Sequence, residues 1–284
     1  MSRFLYLSDS HYGANPPGYQ QQRAYPEKLP QIIAALQSYI AQENIDFVLH
    51  GGDIIDSTNE ENIVESAKLF EALGVPVYLC LGNHDLTTPD ALQQWLLLAP
   101  QFFPGGQPEF SLLHDCAIHV VPNHWGEHAY YWEVSQDTSF DARQLAFIEQ
   151  ALNTHTDRPH ILLTHSPVFG LSPQQTGFEA ELHPPTGSLP QAIIELAARH
   201  PHLCCVLGAH NHLNMCVEKQ GTYFVTSSAL HETPFEVKLF EVTPESVSMS
   251  TVSLIGRLDT KAEYDFNKTF VQGRSIDRSF IWKA

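Results

Sequence analysis

The chain has 284 residues, five cysteines and a formal charge of -17, with 43% hydrophobic and 17% charged residues, a balance that predicts one well-filled globular core. The acidic surplus argues against a basic nucleic-acid surface and against a long duplex as partner, while bound divalent ions could still reverse the local field for a small anionic substrate. Cys80, Cys116, Cys204, Cys205 and Cys216 show no metal spacing and fit buried thiols in a reducing compartment.

The start, Met1-Ser2-Arg3-Phe4-Leu5, lacks the sections of a signal peptide, and no apolar run nears the roughly 20 residues of a membrane helix. A soluble, cytoplasmic chain with no membrane partner is the expectation. Strand-forming runs fall at Phe4 to Ser8, Phe47 to His50 and Val75 to Cys80, separated by amphipathic helices near Lys28 to Glu43 and Glu60 to Leu73. This β-α alternation predicts a mainly parallel sheet. A helix near Pro89 to Leu98 follows, then strands near Phe110 to Leu113, Ala117 to Val121 and Ala129 to Val134. Asp141 reads as the N-cap of a helix from Ala142 to about Asn153. A strand from His160 to Thr164, a long loop over residues 169 to 187, a helix from Pro190 to Arg199 and a strand from Leu203 to Leu207 come next. The loop, rich in Gly, Pro and Gln, is expected to form part of a substrate-pocket rim.

Antiparallel strands are predicted at Asn214 to Glu218, Tyr223 to Thr226, Glu236 to Val242 and Val247 to Leu254, so that two sheets pack face to face with helices outside. Residues 1–254 read as one domain and 255–284 as a C-terminal tail. That tail holds 6 of the 15 Lys+Arg and 4 of the 32 Asp+Glu, a balance of +2 against -19 for the rest. It is suited to dock on its own acidic body or on a second subunit of a homo-oligomer.

Five strand ends carry metal-competent side chains: Asp9 with His11, Asp53, Asn83 with His84 and Asp85, His165, and His210 with His212. Singly each is ordinary, since an Asp can cap a turn and histidines two apart occur by chance. Their recurrence at the carboxyl ends of strands, where open α/β sheets bind ligands, points to a site. Oxygen and imidazole donors without thiolate suit Mn, Fe, Co, Ni or Zn. Seven ligands, Asp9, His11, Asp53, Asn83, His165, His210 and His212, are too many for one tetrahedral ion but divide between two, with Asp53 able to bridge. Ions about 3.5 to 4 Å apart can grip a phosphoryl oxygen and acidify a water for in-line attack. His84 is the candidate to protonate the leaving oxygen, with Asp85 or another carboxylate orienting it. His124 and His128 read as loop residues, Asp56 as a brace for the metal loop or a cap, and His231 as a residue near the substrate region.

The blocks Asp9-Ser10-His11, Gly52-Asp53, Gly82-Asn83-His84-Asp85, Thr164-His165 and Gly208-Ala209-His210-Asn211-His212 together resemble the calcineurin-like metallophosphoesterase superfamily. The resemblance implies an α/β fold, a four-layer α/β/β/α sandwich of two mixed sheets with helices on the outer faces. It also implies two divalent or mixed-valence ions (Mn, Fe or Zn). One would be held by Asp9, His11, Asp53 and His212 and the other by Asp53, Asn83, His165 and His210, with His84 near the substrate phosphate. The implied activity is hydrolysis of a small phosphodiester by a metal-bound hydroxide. The branch most similar is the bacterial class III cyclic nucleotide phosphodiesterases. A phosphomonoesterase or nucleotide pyrophosphatase on the same site is the alternative, and a noncatalytic binding scaffold a third, against which all eight positions are retained. Two departures stand out: Ala209 separates Gly208 from His210, and Ser166 follows His165 where many phosphodiesterases carry a histidine or an aromatic residue.

Overall fold

In a computed structural model, which describes residues 1–15, 19–126, 128, 135–259 and 261–284, the β-branched and aromatic runs at the start of the chain become β1 (Ser2–Leu7), β2 (Phe47–His50) and β3 (Val77–Leu79). They are parallel, and joined by α1 (Leu29–Glu43) and α2 (Glu60–Glu71). Each helix ends for a local reason. Asn44 closes α1 in the left-handed conformation at φ 53°, and the Asn59 side chain caps α2 by accepting from the Asn62 amide, with Glu60 and Glu61 in the first turn. After α3 (Ala91–Leu98) come β4 (Phe110–Leu113) and β5 (Ala117–Val120). A two-stranded ribbon of β6 (His124–Trp125) and β7 (Thr138–Ser139) follows, then α4 (Ala142–Leu152). Asp141 caps α4 as expected, in a full capping box with Gln144. The strand expected at Ala129 to Val134 lies outside the described residues.

The alternation resumes with β8 (His160–Leu163), a short α5 (Pro173–Thr176), α6 (Leu189–Arg199) and β9 (Leu203–Gly208). The chain then runs through β10 (Met215–Lys219), β11 (Thr222–Thr226), β12 (Glu236–Thr243), β13 (Ser246–Ser253) and β14 (Ser279–Lys283). Two mixed six-stranded sheets result, ordered β14-β13-β12-β1-β2-β3 and β10-β11-β9-β8-β5-β4. With helices on their outer faces they form the four-layer α/β/β/α sandwich. Register puts Phe4 opposite both Phe47 and Phe240, and the three rings stack at 5.0 and 4.8 Å. Each such pair contributes about 0.5–1.5 kcal/mol beyond burial. The second sheet packs its outer face on Ile148, Leu152, Ile193 and Leu196 of α4 and α6. Between the sheets, the buried Tyr6 hydroxyl donates to the Gly208 carbonyl at 2.5 Å and so ties the end of β1 to the end of β9. No helix among the described residues is long and apolar enough to cross a membrane.

The tail docks on its own body. β14 extends the first sheet beside β13, and Phe280 stacks on Tyr223 of the second sheet at 4.1 Å. Arg278 makes a two-pronged ion pair, 2.6 and 3.1 Å, with the buried Glu236, which also accepts from Asn214 Nδ2 at 2.7 Å. Replacing Arg278 with alanine leaves a buried carboxylate short of its main partner. The expected cost is about 1–3 kcal/mol, read as a lower urea midpoint with an unchanged slope.

Candidate metal centre

All the strand ends singled out in the sequence meet at one rim of the sandwich. The loop leaving β1 continues the parallel ladder against the loop leaving β2: the amides of Asp9, Ser10 and His11 donate to the carbonyls of Gly52, Asp53 and Asp53 at 2.9, 2.9 and 3.0 Å. Along these loops and the one leaving β9, Asp9, His11, Asp53, His210 and His212 all adopt left-handed backbone, with φ between 45° and 67°. For residues with a Cβ this conformation is strained, and it clusters where surrounding structure holds side chains to a task. Gly82 has to be glycine for a related reason, because a Cβ there would run into the Asp53 carboxylate and the His165 ring. Ala209 is accommodated, buried and donating its amide to the His165 carbonyl at 2.7 Å, so the histidines after it still reach the site.

Three overlapping groups of ligand atoms result: Asp9, His11 and His212; His11, Asp53 and His84; and Asp53, His165 and His210. His11 Nε2 lies 3.2 Å from His212 Nε2, and His165 Nε2 lies 3.3 Å from Asp53 Oδ2. The Asn83 amide oxygen sits 3.1 Å from His165 Nε2 and 2.9 Å from His210 Nδ1. Donors at metal bonds of about 2.0–2.2 Å stand roughly 3.0–3.5 Å from one another, so these separations are those of ligands around an ion. Asp9 Oδ2 is buried with no hydrogen-bond partner, a costly state in a purely protein site, while His11 turns Nδ1 to the Asp56 carboxylate at 3.3 Å and Nε2 to the other ligand atoms. The donor set therefore fits two metal ions of the N/O-liganded class.

The charges point the same way. Burial works against ionisation of Asp53, yet the imidazoles of His165, His84 and His11 hold its carboxyl well below the usual range. Burial likewise opposes protonation of His165 and His212. Asp53 nevertheless raises the first to about 9, and Glu232 with Asp9 raises the second to about 9. Acidic partners thus surround histidines whose nitrogens converge, a field that a cation satisfies.

Asp85 does not face His84. Its oxygens accept from the amides of Asp53 (2.8 Å), Gly82 (2.9 Å), Ile54 (3.0 Å) and Ile55 (3.2 Å), which fixes the backbone of both metal loops. Burial and the neighbouring Asp53 push its carboxyl up, but four N–H donors leave no acceptor for a carboxyl proton, so the ionised form belongs here. His84 instead sets Nδ1 2.8 Å from the Asp56 carbonyl and 3.7 Å from its carboxylate. Trp95 of α3 holds the turn by donating Nε1 to the Asp85 carbonyl at 2.8 Å. His124 lies near Asp141 and in none of the ligand groups.

Glu232 has no mark in the sequence beyond a carboxylate after His231, yet it is fully buried and lies 2.6 Å from His212 Nδ1. His231 sets Nδ1 2.9 Å from the Asp9 carbonyl. The loop of residues 169–187 does reach the rim, through His183 to Thr186, beside His210 and Asn211. Changing Glu232 to Gln keeps shape but removes the charge that orients His212. Metal affinity is expected to fall about 10–100-fold, measured by competition with a chelating dye.

The profile of the calcineurin-like phosphoesterases matches residues 2–214, three quarters of the chain, and the protein belongs to that family. Among solved structures it is similar to a dimetal phosphatase from Danio rerio (LOC 393393), with 15% identity and a TM-score of 0.68 over 89% of this chain and 96% of that one. It also resembles the purple acid phosphatase PPD1 from yellow lupin seeds, at 14% identity and a TM-score of 0.62, over 99% of this chain and 53% of that one. At these identities the likeness is one of fold. A curated relative, the uncharacterized protein YvnB of Bacillus subtilis (strain 168), is 24% identical over 176 residues, which is 58% of this chain and only 13% of the relative's own length.

Proposed function

We propose that the protein is a dinuclear metal-dependent phosphoesterase acting on phosphodiesters. The observation that carries the reading is the placement of Asp53 between two groups of ligand atoms, under a cavity of about 480 Å³ into which Asn83, His84 and His210 face. Asp9, His11, Asp53 and His212 would hold one ion and Asp53, Asn83, His165 and His210 the other, with Mn, Fe and Zn as candidates. Such a pair supplies Lewis acidity toward a phosphoryl oxygen and an acidified water. The chain's own residues do the rest. With a carbonyl opposite Nδ1, that atom carries the proton, so Nε2 is the ring atom of His84 that exchanges a proton on the cavity side. The tie from the His84 amide to Asp53 Oδ1 at 2.8 Å keeps the ring in register with the metal loop.

Preference for a diester is supported by the cavity wall. Gln20, Gln21, Gln136 and Asn211 offer neutral hydrogen-bonding groups suited to the sugar or base substituents on the second arm of a diester. Purified protein should hydrolyse bis(p-nitrophenyl) phosphate with Mn²⁺, lose the activity on chelation, and turn over p-nitrophenyl phosphate more slowly at equal concentration. A faster monoester would overturn the diester preference, and no turnover of either ester at full metal loading would overturn the phosphoesterase reading. A positive result opens a panel of cyclic nucleotides, glycerophosphodiesters and dinucleotides.

A further inference from the structure

One wall of the cavity over the metal centre comes from beyond residue 214, where the family match ends, and that wall carries Lys268. Lys268 is the only permanent cation among the described residues that line the cavity. The segment bearing it is fixed in place by one buried amide. Gln22 Nε2 donates to the carbonyls of Asp265 and Lys268 at 3.0 and 2.9 Å, and Gln22 Oε1 accepts from the Asp265 amide at 2.8 Å. Further back, Tyr25 Oη accepts from the Glu263 amide at 2.9 Å and the Thr233 hydroxyl donates to the Glu263 carbonyl at 2.9 Å. The backbone of Lys268 is therefore anchored by residues 22–25 and 233, on the same side of the molecule as the metal loops.

The ammonium itself, half-buried, makes no ion pair or hydrogen bond among the described residues, although the chain has 32 Asp+Glu against 15 Lys+Arg. Its charge reaches His183 on the rim, whose imidazole is lowered by burial, then by His212 and Lys268. In a protein of net charge -17 the surrounding field repels anionic substrates, and one unpaired cation at the cavity offsets that repulsion locally. A shallower trough of about 260 Å³ continues past Lys268 along Gln20 to Arg23. There Arg23 lies among the carboxylates Glu263 and Asp265, so the charges further out offset one another, and Lys268 is the cation that also lines the cavity over the metal centre.

Resting on the phosphodiester reading, we infer that Lys268 is a specificity residue that receives a second phosphate on one arm of the substrate, so that diesters bearing a distal phosphate are preferred. The C-terminal segment then selects the substrate, while the strand-end loops carry the chemistry. A matched pair tests this: thymidine 5′-(p-nitrophenyl phosphate) with and without a 3′-phosphate, hydrolysed by the Mn²⁺-loaded full chain at low salt. The 3′-phosphorylated ester is expected to have a kcat/KM about tenfold higher, the ratio to fall near one in Lys268→Gln, and most of it to persist in Lys268→Arg. The same ratio in wild type and Lys268→Gln overturns the inference. Calorimetric binding of thymidine 3′,5′-bisphosphate against thymidine 5′-monophosphate reads the contact without turnover. A Lys268-dependent affinity ratio with no hydrolysis of any ester keeps the role of Lys268 and removes the phosphodiesterase reading. Hydrolysis with ratios of one in both measurements does the reverse.

Discussion

Replacing Asp53 with alanine is expected to remove bound metal and activity together, with the loss of turnover exceeding about 10³-fold. The geometry makes this residue different from the other candidate ligands. Its Oδ2 lies 3.3 Å from His165 Nε2 and 4.0 Å from His11 Nε2, so one carboxylate faces both groups of ligand atoms. Its Oδ1 accepts from the His84 amide, and its own amide donates to Asp85, so it is also where the loops after β2 and β3 join. Alanine therefore removes a negative charge between histidines and a brace between loops. Asp53→Asn separates the two effects, because the amide keeps the shape and loses the charge. Metal content by mass spectrometry should fall in both variants, while circular dichroism stays native in Asp53→Asn. Full metal occupancy in Asp53→Asn would remove the bridging role.

Most of the architecture could be read from periodicity and punctuation. The α1 stripe of Ile32, Ile33, Leu36, Tyr39 and Ile40 is buried as its spacing requires, and Asp141 with Gln144 announces the start of α4. The strand-end residues were legible because each follows an apolar run that can only be a buried strand, and the sheet then gathers those ends on one edge. Partners supplied by tertiary packing were not. Glu232 meets His212 across 20 residues, and the backbone of Lys268 is held at the cavity by Gln22, 246 positions earlier. A single Glu or Lys has no spacing pattern that marks such a role. The pairing of Asp85 with His84 shows a different limit. The two fall in a 3₁₀ turn, His84–Leu86, where successive side chains diverge by about 120°, so neighbours in sequence cannot face each other. The carboxylate near His84 belongs instead to Asp56, 28 residues away.

His84→Ala is expected to lower kcat toward alkyl diesters by roughly 10²–10⁴-fold with metal content retained, if the imidazole serves, as proposed, as proton donor and not as a ligand in the group it shares with His11 and Asp53. Its Nδ1 is committed to Asp56, and its position is set by backbone bonds at both ends of the turn, so removal of the ring leaves Asp53, Asn83 and His165 where they are. The nature of the leaving group decides between a proton donor and a mere packing residue. Nitrophenolate departs without help, whereas an alkoxide needs a proton as it leaves. The defect in His84→Ala should therefore be small for p-nitrophenyl esters and grow steadily through phenyl to alkyl diesters, giving a steeper dependence of rate on leaving-group pKa than in the wild type. An equal defect for every leaving group would assign His84 to phosphate positioning instead. Asp56→Asn tests the same point from the other side. With its carboxylate 3.7 Å from His84 Nδ1, Asp56 helps place the ring, and this variant should reproduce part of the slope change.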